Sequence, residues 1–415
     1  MKDFMGVCGH YHFDGPTYAP VAAHVRNYHG INWDLDVTEP YRDPPYPFAL
    51  NRVNWEHLYG GWRGAGFEIN ASIMIGVVKP DDWANPEESA YGYGKAFARF
   101  FGPSGKGLVD TAELGNEPGE YSDEQYRVIA RAMARGLREG DPGMRIATAA
   151  ITLGQSDRYA RSIACYEDWL DEIDVLNVHT YAIVGQWPNR RRTHPEEPQC
   201  DYLSRVRDVI AWRDEHAAGK EVWVTEFGWD AHLAEGAAVQ EGVPIDKRPS
   251  ALSRTRQAQY LVRSYLIFAR LGVERAYMFW YRDEGAETGL HNACGLISNG
   301  VKQPAHHALA SLKANLGDYR FDEALWEDAD GVYAYRFRDG RERACVAVWS
   351  PTRDGEERLC VLNLEQAGLS GFEFVRGVEP ALAEGGEATV PVELDEESLK
   401  VHAAGMPRLL FFRLE

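Results

Sequence analysis

The sequence predicts an α/β fold: a (β/α)8 TIM barrel over residues 1–315, followed by a small C-terminal antiparallel β-sandwich over residues 316–415. Short apolar runs alternate with helical patterns through most of the 415-residue chain, and eight such runs can be identified. Near Leu316 the pattern changes to period-two alternation with hairpin signals, which is typical of antiparallel strands. One large domain with a smaller one also fits a chain of this length.

The eight predicted barrel strands are short runs rich in apolar residues, as expected for parallel strands that are buried on both faces. They lie near Phe4–Cys8, His24–Tyr28, Glu68–Ile75, Val109–Gly115, Arg145–Ala150, Val175–His179, Val222–Glu226 and Ala276–Trp280.

Helical patterns separate these strands. The clearest begins at Ser122, where Ser122-Asp123-Glu124-Gln125 predicts a capping box, and ends at Gly140. Ser204–Ala217 and Ser253–Leu271 are predicted as helices on the same grounds.

The predicted sandwich opens with a hairpin. Val332–Phe337 and Ala344–Trp349 alternate in hydrophobicity on either side of a turn that contains Asp339-Gly340. Further strands are predicted near Leu359–Leu362, Phe372–Val375, Ala388–Val392 and Arg408–Leu414.

Charge and composition exclude several classes of partner. The net charge of −19 opposes binding to nucleic acid or an anionic membrane surface, because a negative field repels phosphate. The six cysteines show no CxxC pair or regular spacing and are predicted to be reduced thiols. No long apolar segment precedes the strand at Phe4, which predicts a cytoplasmic protein, or a secreted or periplasmic one if an export signal was removed.

Two predicted strands end in a glutamate. The fourth ends in Leu114-Gly115-Asn116-Glu117-Pro118, and the seventh runs through Val222-Trp223-Val224-Thr225-Glu226-Phe227-Gly228-Trp229. Because the carboxyl ends of barrel strands meet at one face, the two carboxylates are expected to lie close together. A proton donor and a nucleophile of this kind are what hydrolysis of a glycosidic bond requires.

These strand ends, with Phe279-Trp280 at the eighth strand, resemble the retaining glycoside hydrolases of clan A. The sequence is most similar in character to the β-xylosidase and α-L-iduronidase family, whose members also carry a C-terminal β-sandwich. Asn292-Ala293-Cys294-Gly295-Leu296-Ile297, followed by Lys302-Gln303-Pro304-Ala305, is similar to the segment that closes such barrels.

The resemblance implies roles for four residues. Glu117 would be the general acid, with its pKa raised by burial and a neighbouring negative charge. Glu226 would be the nucleophile, kept ionised by Arg26, although Arg26 could instead pair with a structural carboxylate. Asn116 would donate to the 2-hydroxyl of the sugar.

Aromatic and imidazole side chains complete the predicted sugar-binding site. His179 and Tyr181 would orient Glu226, and Trp280 would form the floor under the sugar, unless it belongs to the core. Trp33, in the loop after the second strand, is a candidate for sugar stacking. Glu113 shares strand parity with Glu117 and is an alternative, buried structural carboxylate.

Rival functions remain open at this point. His10-Tyr11-His12 resembles the paired histidines of metal-dependent barrel hydrolases, to which His179 and Asp283 could contribute. On the favoured interpretation no metal or cofactor is needed, and one of the two histidines, His10 or His12, contacts sugar hydroxyls. The third alternative is a non-catalytic carbohydrate-binding protein.

The substrate is therefore expected to be an oligosaccharide or polysaccharide, with the oligomeric state left open. Arg190-Arg191-Arg192 stands out against the acidic background, either as a solvated charge run or as a subsite for a carboxylate or sulfate. The long loop from Trp229 to about Ser250 is predicted to act as a lid.

Overall fold

The computed structural model describes residues 1–11, 13–231, 242–247, 252–283, 290–328 and 331–414. Within them, eight parallel strands form a closed barrel, since each strand pairs with the next and the eighth pairs with the first. The strands are β1 (Met5–Cys8), β2 (His24–Gly30), β3 (Glu68–Met74), β4 (Thr111–Glu113), β5 (Arg145–Thr152), β6 (Val175–His179), β7 (Glu221–Phe227) and β8 (Arg275–Met278).

All eight predicted barrel strands are confirmed, with differences of a few residues at their ends. Most of their side chains are buried, because the strands face the barrel interior on one side and the surrounding helices on the other. The fold class is therefore the predicted one.

The helices surround the barrel, and the predicted capping box is present: Ser122 accepts from the Gln125 backbone, and the Gln125 side chain accepts from the Ser122 backbone. Between β5 and β6 the described chain forms two short 3₁₀ helices, Ile163–Cys165 and Glu167–Glu172. The α-helices are α1 (Gly15–Tyr18), α2 (Ile31–Asp34), α3 (Trp55–Gly64), α4 (Pro86–Phe101), α5 (Asp123–Gly140), α6 (Tyr202–His216), α7 (Arg254–Leu271) and α8 (Pro304–Leu316).

The loop after β6 contains a small antiparallel hairpin. Ile183–Val184 pairs with Arg191–Arg192, and residues 183–192 are called the loop-6 hairpin below. Other two-residue strands are Arg161–Ser162 beside β5, and Ile297–Ser298 paired with Val301–Lys302 before α8.

The C-terminal region forms two packed antiparallel sheets, as predicted. The larger sheet has the order β9-β10-β11-β17-β13-β14, and the smaller has the order β12-β16-β15. The strands are β9 (Arg320–Glu327), β10 (Tyr333–Asp339), β11 (Arg343–Trp349), β12 (Arg358–Asn363), β13 (Phe372–Glu379), β14 (Ala388–Thr389), β15 (Glu393–Leu394), β16 (Ser398–Ala403) and β17 (Arg408–Leu414).

The central strands of the larger sheet are buried on both faces. Side chains such as Val346 and Leu410 pack against Leu399 and Val401 of the smaller sheet. On the opposite face, residues including Tyr335, Trp349 and Phe411 belong to one continuous core with the barrel. The sandwich is therefore packed on the barrel. The predicted division at residues 315 and 316 stays a prediction.

A buried ion pair reinforces this contact. Glu196, in the loop between the loop-6 hairpin and α6, accepts from Arg263 Nε of α7 at 2.8 Å and from Trp349 Nε1 of β11 at 2.7 Å. Burial favours protonation of Glu196, but the Arg263 and His194 charges outweigh it and lower its pKa. Glu196 thus joins a loop of the barrel's carboxyl-terminal face to the sandwich.

The predicted state of the cysteines can be compared with the structure. All six cysteines lie in the described part of the chain, and none forms a disulfide. In that same part, no helix has the length and apolar character that crossing a bilayer requires.

Candidate active site

Both strand-end glutamates lie at the carboxyl-terminal face of the barrel. Gly115 adopts a φ of 106°, a conformation that side chains disfavour, and turns the chain sharply after β4 so that Asn116 and Glu117 follow directly. In β7 the pairing register with β6 shifts between Val224 and Glu226. A bulge of this kind re-aims a side chain at the end of a strand.

The two carboxylates face each other at short range. One carboxylate oxygen of Glu117, one of Glu226 and a ring nitrogen of His179 all lie within 4.8 Å of one another. Glu226 is buried, whereas the Glu117 side chain keeps about a quarter of its surface exposed, at 24%. Glu117 is therefore the carboxylate of the two that solvent or a leaving group reaches more readily.

Three donors surround the Glu226 carboxylate. Arg26 Nη1 donates to Oε1 at 2.9 Å, Tyr28 donates to the same oxygen at 2.7 Å, and Tyr181 donates to Oε2 at 2.8 Å. Burial by itself favours protonation, but His179, the Arg26 charge and the tyrosine hydrogen bonds lower the pKa of Glu226 to about 2. Glu226 is thus ionised throughout the neutral range.

Glu117 has the opposite electrostatic environment. Burial raises its pKa, and the negative charge of Glu226 raises it further, while the hydrogen bond between Glu117 and His179 acts against both. His179 Nδ1 lies 2.9 Å from Glu117 Oε1 and 3.6 Å from Glu226 Oε2. The ring therefore hydrogen-bonds the predicted acid, whereas the sequence had placed it beside the predicted nucleophile.

Arg26 is completely buried and connects several strands. It donates to both oxygens of Glu113, at 2.6 and 2.8 Å, and to Asn116 Oδ1 at 2.7 Å. Arg26 thus contacts both a structural carboxylate and Glu226, so the two alternatives for it are both realised. Because the Asn116 oxygen is engaged, its amide N–H groups are left to donate towards a ligand.

The two tryptophans predicted to bind sugar, Trp280 and Trp33, both pack against other aromatic rings. Trp280 stacks on Phe279, with ring centroids 4.9 Å apart, and is 3.9 Å from the ring of His10. Trp33 stacks on Trp55, with ring centroids 5.8 Å apart, in the wall formed by α3. Stacking on sugar stays a prediction for both tryptophans.

Two predictions fall partly or wholly outside the described residues. His12 is one of them, so its predicted contact with sugar stays a prediction. The predicted lid from Trp229 to Ser250 is the other, since residues 232–241 and 248–250 are not described.

The metal-dependent alternative can be tested on the donor set. Among the described residues, the group of side chains close enough to share an ion is Glu117, His179 and Glu226. Both Glu226 oxygens already accept hydrogen bonds. Asp283, a further candidate ligand, is instead bound by Arg254 Nη2 and the Gly295 backbone, each at 2.6 Å. These carboxylates accept hydrogen bonds from donors within the protein. They therefore do not fit the role of ligands in a metal centre built on His10.

The loop-6 hairpin brings a second charged cluster behind Tyr181. Arg192 is buried, donates to Asp230 at 3.0 Å from Nε, and lies over the Tyr181 ring at 5.1 Å. The His291 ring also packs against the Tyr181 ring, with the two ring centroids 4.5 Å apart. Burial lowers the pKa of His291 to about 4, so it is neutral at pH 7. The predicted arginine triplet is therefore not uniform, because Arg192 is structural.

Sequence reasoning missed Tyr28, Asn177 and Thr225. Tyr28 could have been found, since it lies two residues after Arg26 and so shares its face of β2. Asn177 and Thr225 sit below the two carboxylates and bind Glu113 and His179, respectively. The residues that Asn177 and Thr225 bind lie in other strands, so no local sequence pattern indicates these contacts.

The comparisons place this fold among solved glycoside hydrolase structures. A family 39 glycoside hydrolase from the gut symbiont Bacteroides cellulosilyticus is 16% identical, with a TM-score of 0.69 over 100% of this chain and 81% of the other. A glucosidase from Croceicoccus marinus is 14% identical, with a TM-score of 0.63 over 100% and 96%. A bifunctional glucanase–xylanase from a metagenome library is 13% identical, with a TM-score of 0.62 over 100% and 96%.

At these identities the comparisons establish the fold. They agree with the resemblance to clan A, since the structural neighbours also include family 30 xylanases and a family 51 α-L-arabinofuranosidase from Bifidobacterium longum. No protein-family model and no curated protein matches the sequence.

Proposed function

We propose that the protein is a retaining glycoside hydrolase that cleaves a glycosidic bond in an oligosaccharide or polysaccharide by double displacement. The observation that carries the proposal is the close approach of Glu117 and Glu226, within 4.8 Å, together with the opposite directions of their pKa shifts. Retaining enzymes hold their carboxyl groups about 5 to 5.5 Å apart, whereas inverting enzymes need about 6.5 to 9.5 Å to admit a water molecule.

In the first step, a Glu226 oxygen attacks the anomeric carbon while Glu117 gives its proton to the departing glycosidic oxygen. The bond between the anomeric carbon and the leaving oxygen breaks, and an ester to Glu226 forms. In the second step, Glu117 removes a proton from water, which attacks the anomeric carbon and releases Glu226. Tyr28 and Tyr181 hold the nucleophile in place before attack, and Asn116 is positioned to donate to the sugar.

The sugar itself is a matter for direct screening. The similar structures include a glucosidase, xylanases and an arabinofuranosidase, so aryl glycosides of glucose, xylose and arabinofuranose are the first candidates. An α-L-iduronide belongs in the same screen because of the sequence resemblance. Proton NMR of the first product anomer then reports retention or inversion directly.

The different roles of Glu117 and Glu226 give the decisive test. With an activated aryl glycoside, whose leaving group needs little protonation, Glu117→Ala should retain appreciable turnover and be accelerated by azide, which can attack the glycosyl-enzyme. Glu226→Ala should lose turnover on every substrate, since no ester can form. Equal behaviour of the two variants on good and poor leaving groups would mean that the roles are misassigned.

The same assay separates the rival functions. A chelator should leave the activity unchanged, because both Glu226 oxygens already have hydrogen-bond donors within the protein. Loss of activity on chelation would favour a metal-dependent hydrolase. Binding of oligosaccharides without any turnover would favour a non-catalytic carbohydrate-binding protein.

A further inference from the structure

A buried chain of hydrogen bonds runs beneath the two catalytic carboxylates. His179 Nε2 lies 3.1 Å from Thr225 Oγ1, the Thr225 hydroxyl donates to Asn177 Oδ1, and Asn177 Nδ2 donates to Glu113 Oε1 at 2.7 Å. Glu113, Asn177 and Thr225 have no exposed surface, so water does not compete for these contacts. The chain links the ring that touches Glu117 to the carboxylate that pairs with Arg26.

Each link in this chain has only one allowed direction. Glu113 receives Arg26 on both oxygens and therefore acts as an acceptor only. Asn177 must present its NH₂ group to Glu113 and its oxygen to Thr225. The single hydroxyl hydrogen of Thr225 is then used on Asn177, so the Thr225 oxygen can only accept from His179.

This direction fixes the proton on one ring nitrogen of His179. With Nε2 protonated, a neutral imidazole carries its lone pair on Nδ1, which lies 2.9 Å from Glu117 Oε1. A lone pair at that distance is favourable only if Glu117 itself bears a proton to donate. In this form of the ring, Glu117 donates and His179 Nδ1 accepts the hydrogen bond between them.

We propose that Thr225 is a positioning residue that holds His179 in its Nε2–H form and thereby keeps Glu117 able to donate a proton. The assignment of Glu117 as the acid rests on the proposed glycosidase function, whereas the form of the imidazole does not. Thr225 itself touches no substrate atom and acts through His179.

Other ionisable groups also face this pair. They are Glu226, Arg26, Tyr28, Tyr181, His291 and Arg192. Among the described residues, Thr225 is the hydrogen-bond partner of Nε2, so the other groups change the charge around the ring without dictating which nitrogen is protonated.

The form of His179 can be observed without any turnover. Long-range proton–nitrogen NMR on histidine-labelled protein distinguishes the two neutral forms of imidazole, and a His179→Asn spectrum identifies the signals. We expect a protonated Nε2 in the wild-type protein across the pH range in which it is folded. A neutral ring protonated on Nδ1 would overturn the proposal, and it would do so whether or not a substrate had been found.

The kinetic test uses an isosteric pair of variants. Thr225→Val removes the acceptor for Nε2–H, so the alternative form, with Nδ1–H donating to the Glu117 carboxylate, is no longer penalised. Stabilising the ionised carboxylate lowers the pKa of Glu117, and the basic limb of the kcat/KM profile should move about 0.5 to 1 pH unit lower, the equivalent of one ordinary hydrogen bond. Thr225→Ser keeps the hydroxyl and should restore the wild-type profile.

Thr111→Val is the matched control. Thr111 is also buried in a barrel strand, and its hydroxyl has no hydrogen-bond partner among the described residues. The control should leave the basic limb in place. A Thr225→Val profile that coincides with the control, or a Thr225→Ser profile that shifts equally, would show Thr225 to be ordinary core. If Thr225→Val fails to fold, the wild-type NMR result still decides the proposal.

Discussion

At the scale of single residues, the number of donors sets the difference between Glu117 and Glu226. Glu226 accepts from Arg26, Tyr28 and Tyr181, whereas Glu117 has His179 as its hydrogen-bond partner among the described residues. Both carboxylates are largely desolvated, so the surplus of donors around Glu226 decides which of them ionises first.

This asymmetry predicts opposite pH effects on stability. The native pKa of Glu226 is about 2, below its ordinary value of 4.5, so its ionised form stabilises the fold above about pH 4.5, and this stabilisation is lost as the pH falls towards 2. Glu226→Gln should therefore lower the free energy of unfolding at pH 7 by on the order of 3 kcal/mol, with a smaller loss at pH 3.

Glu117→Gln is the control for that experiment. Because the native pKa of Glu117 is raised, its ionisation at neutral pH opposes folding, and a permanently neutral glutamine removes this cost. Urea unfolding at pH 7 and pH 3 measures both variants. Greater destabilisation by Glu117→Gln than by Glu226→Gln at pH 7 would contradict the assignment of charges.

At the residue scale, strand ends were enough to predict Glu117 and Glu226, and the family resemblance added Arg26 and Tyr181; all four meet in the structure. Both glutamates end apolar runs, and the geometry of a parallel barrel brings such positions together. The partner of His179 could not be predicted in the same way, because choosing between two carboxylates a few ångströms apart depends on side-chain rotation.

At the scale of secondary structure elements, the buried barrel strands were predictable because they are short runs rich in apolar residues that alternate with helical patterns. Strand β9 was not predicted. Its pairing with β10 shifts register twice, and its residues are half-buried or exposed, so buried and exposed positions do not alternate along it. Strand β16 does alternate, with Leu399, Val401 and Ala403 buried, and period-two reasoning could have found it.

The loop-6 hairpin carries a prediction at this scale. Arg190 is exposed and Arg191 half-buried, while Arg192 supports Tyr181 from behind. Replacing Arg190 and Arg191 together by serine should weaken binding of sulfated or uronate oligosaccharides while leaving neutral ones nearly unchanged. The effect should shrink in high salt, which screens exposed charges within a few ångströms.

Arg192→Ser is the contrasting variant. It leaves buried Asp230 without the Arg192 charge and loosens the Tyr181 ring, whose hydroxyl donates to Glu226. We therefore expect kcat to fall at least about tenfold on neutral and acidic substrates alike. Steady-state kinetics on both substrate classes measures this. If the exposed pair affected neutral and acidic ligands equally, or affected neither, residues 190 and 191 would be an ordinary solvated surface.

At the scale of the whole molecule, the barrel and the sandwich share one core and the Glu196 contact. Glu196→Gln leaves Arg263, which has no exposed surface, without its carboxylate, and should destabilise the protein by about 3 to 5 kcal/mol. Glu327→Gln is the matched control, because Arg270 and Glu327 also join α7 to the sandwich but remain partly exposed. That loss should be below about 1 kcal/mol.

Denaturant unfolding followed by tryptophan fluorescence measures both losses. Equal losses for the two variants would show that the buried pair has no special role in joining the two parts. Chain length and the period-two pattern after Leu316 predicted a second, smaller domain, but not this contact, since it depends on which face of the larger sheet meets α7.

The closure of the barrel also has a consequence for the order of events during synthesis. Met5 in β1 pairs with Ala276 in β8, so β1 lacks one of its two neighbours until β8 has been synthesised. Contacts between residues so distant in sequence make folding slow and prolong the exposure of an apolar strand edge. We expect nascent chains that stop short of β8 to depend on chaperones, and the completed chain to be released from them.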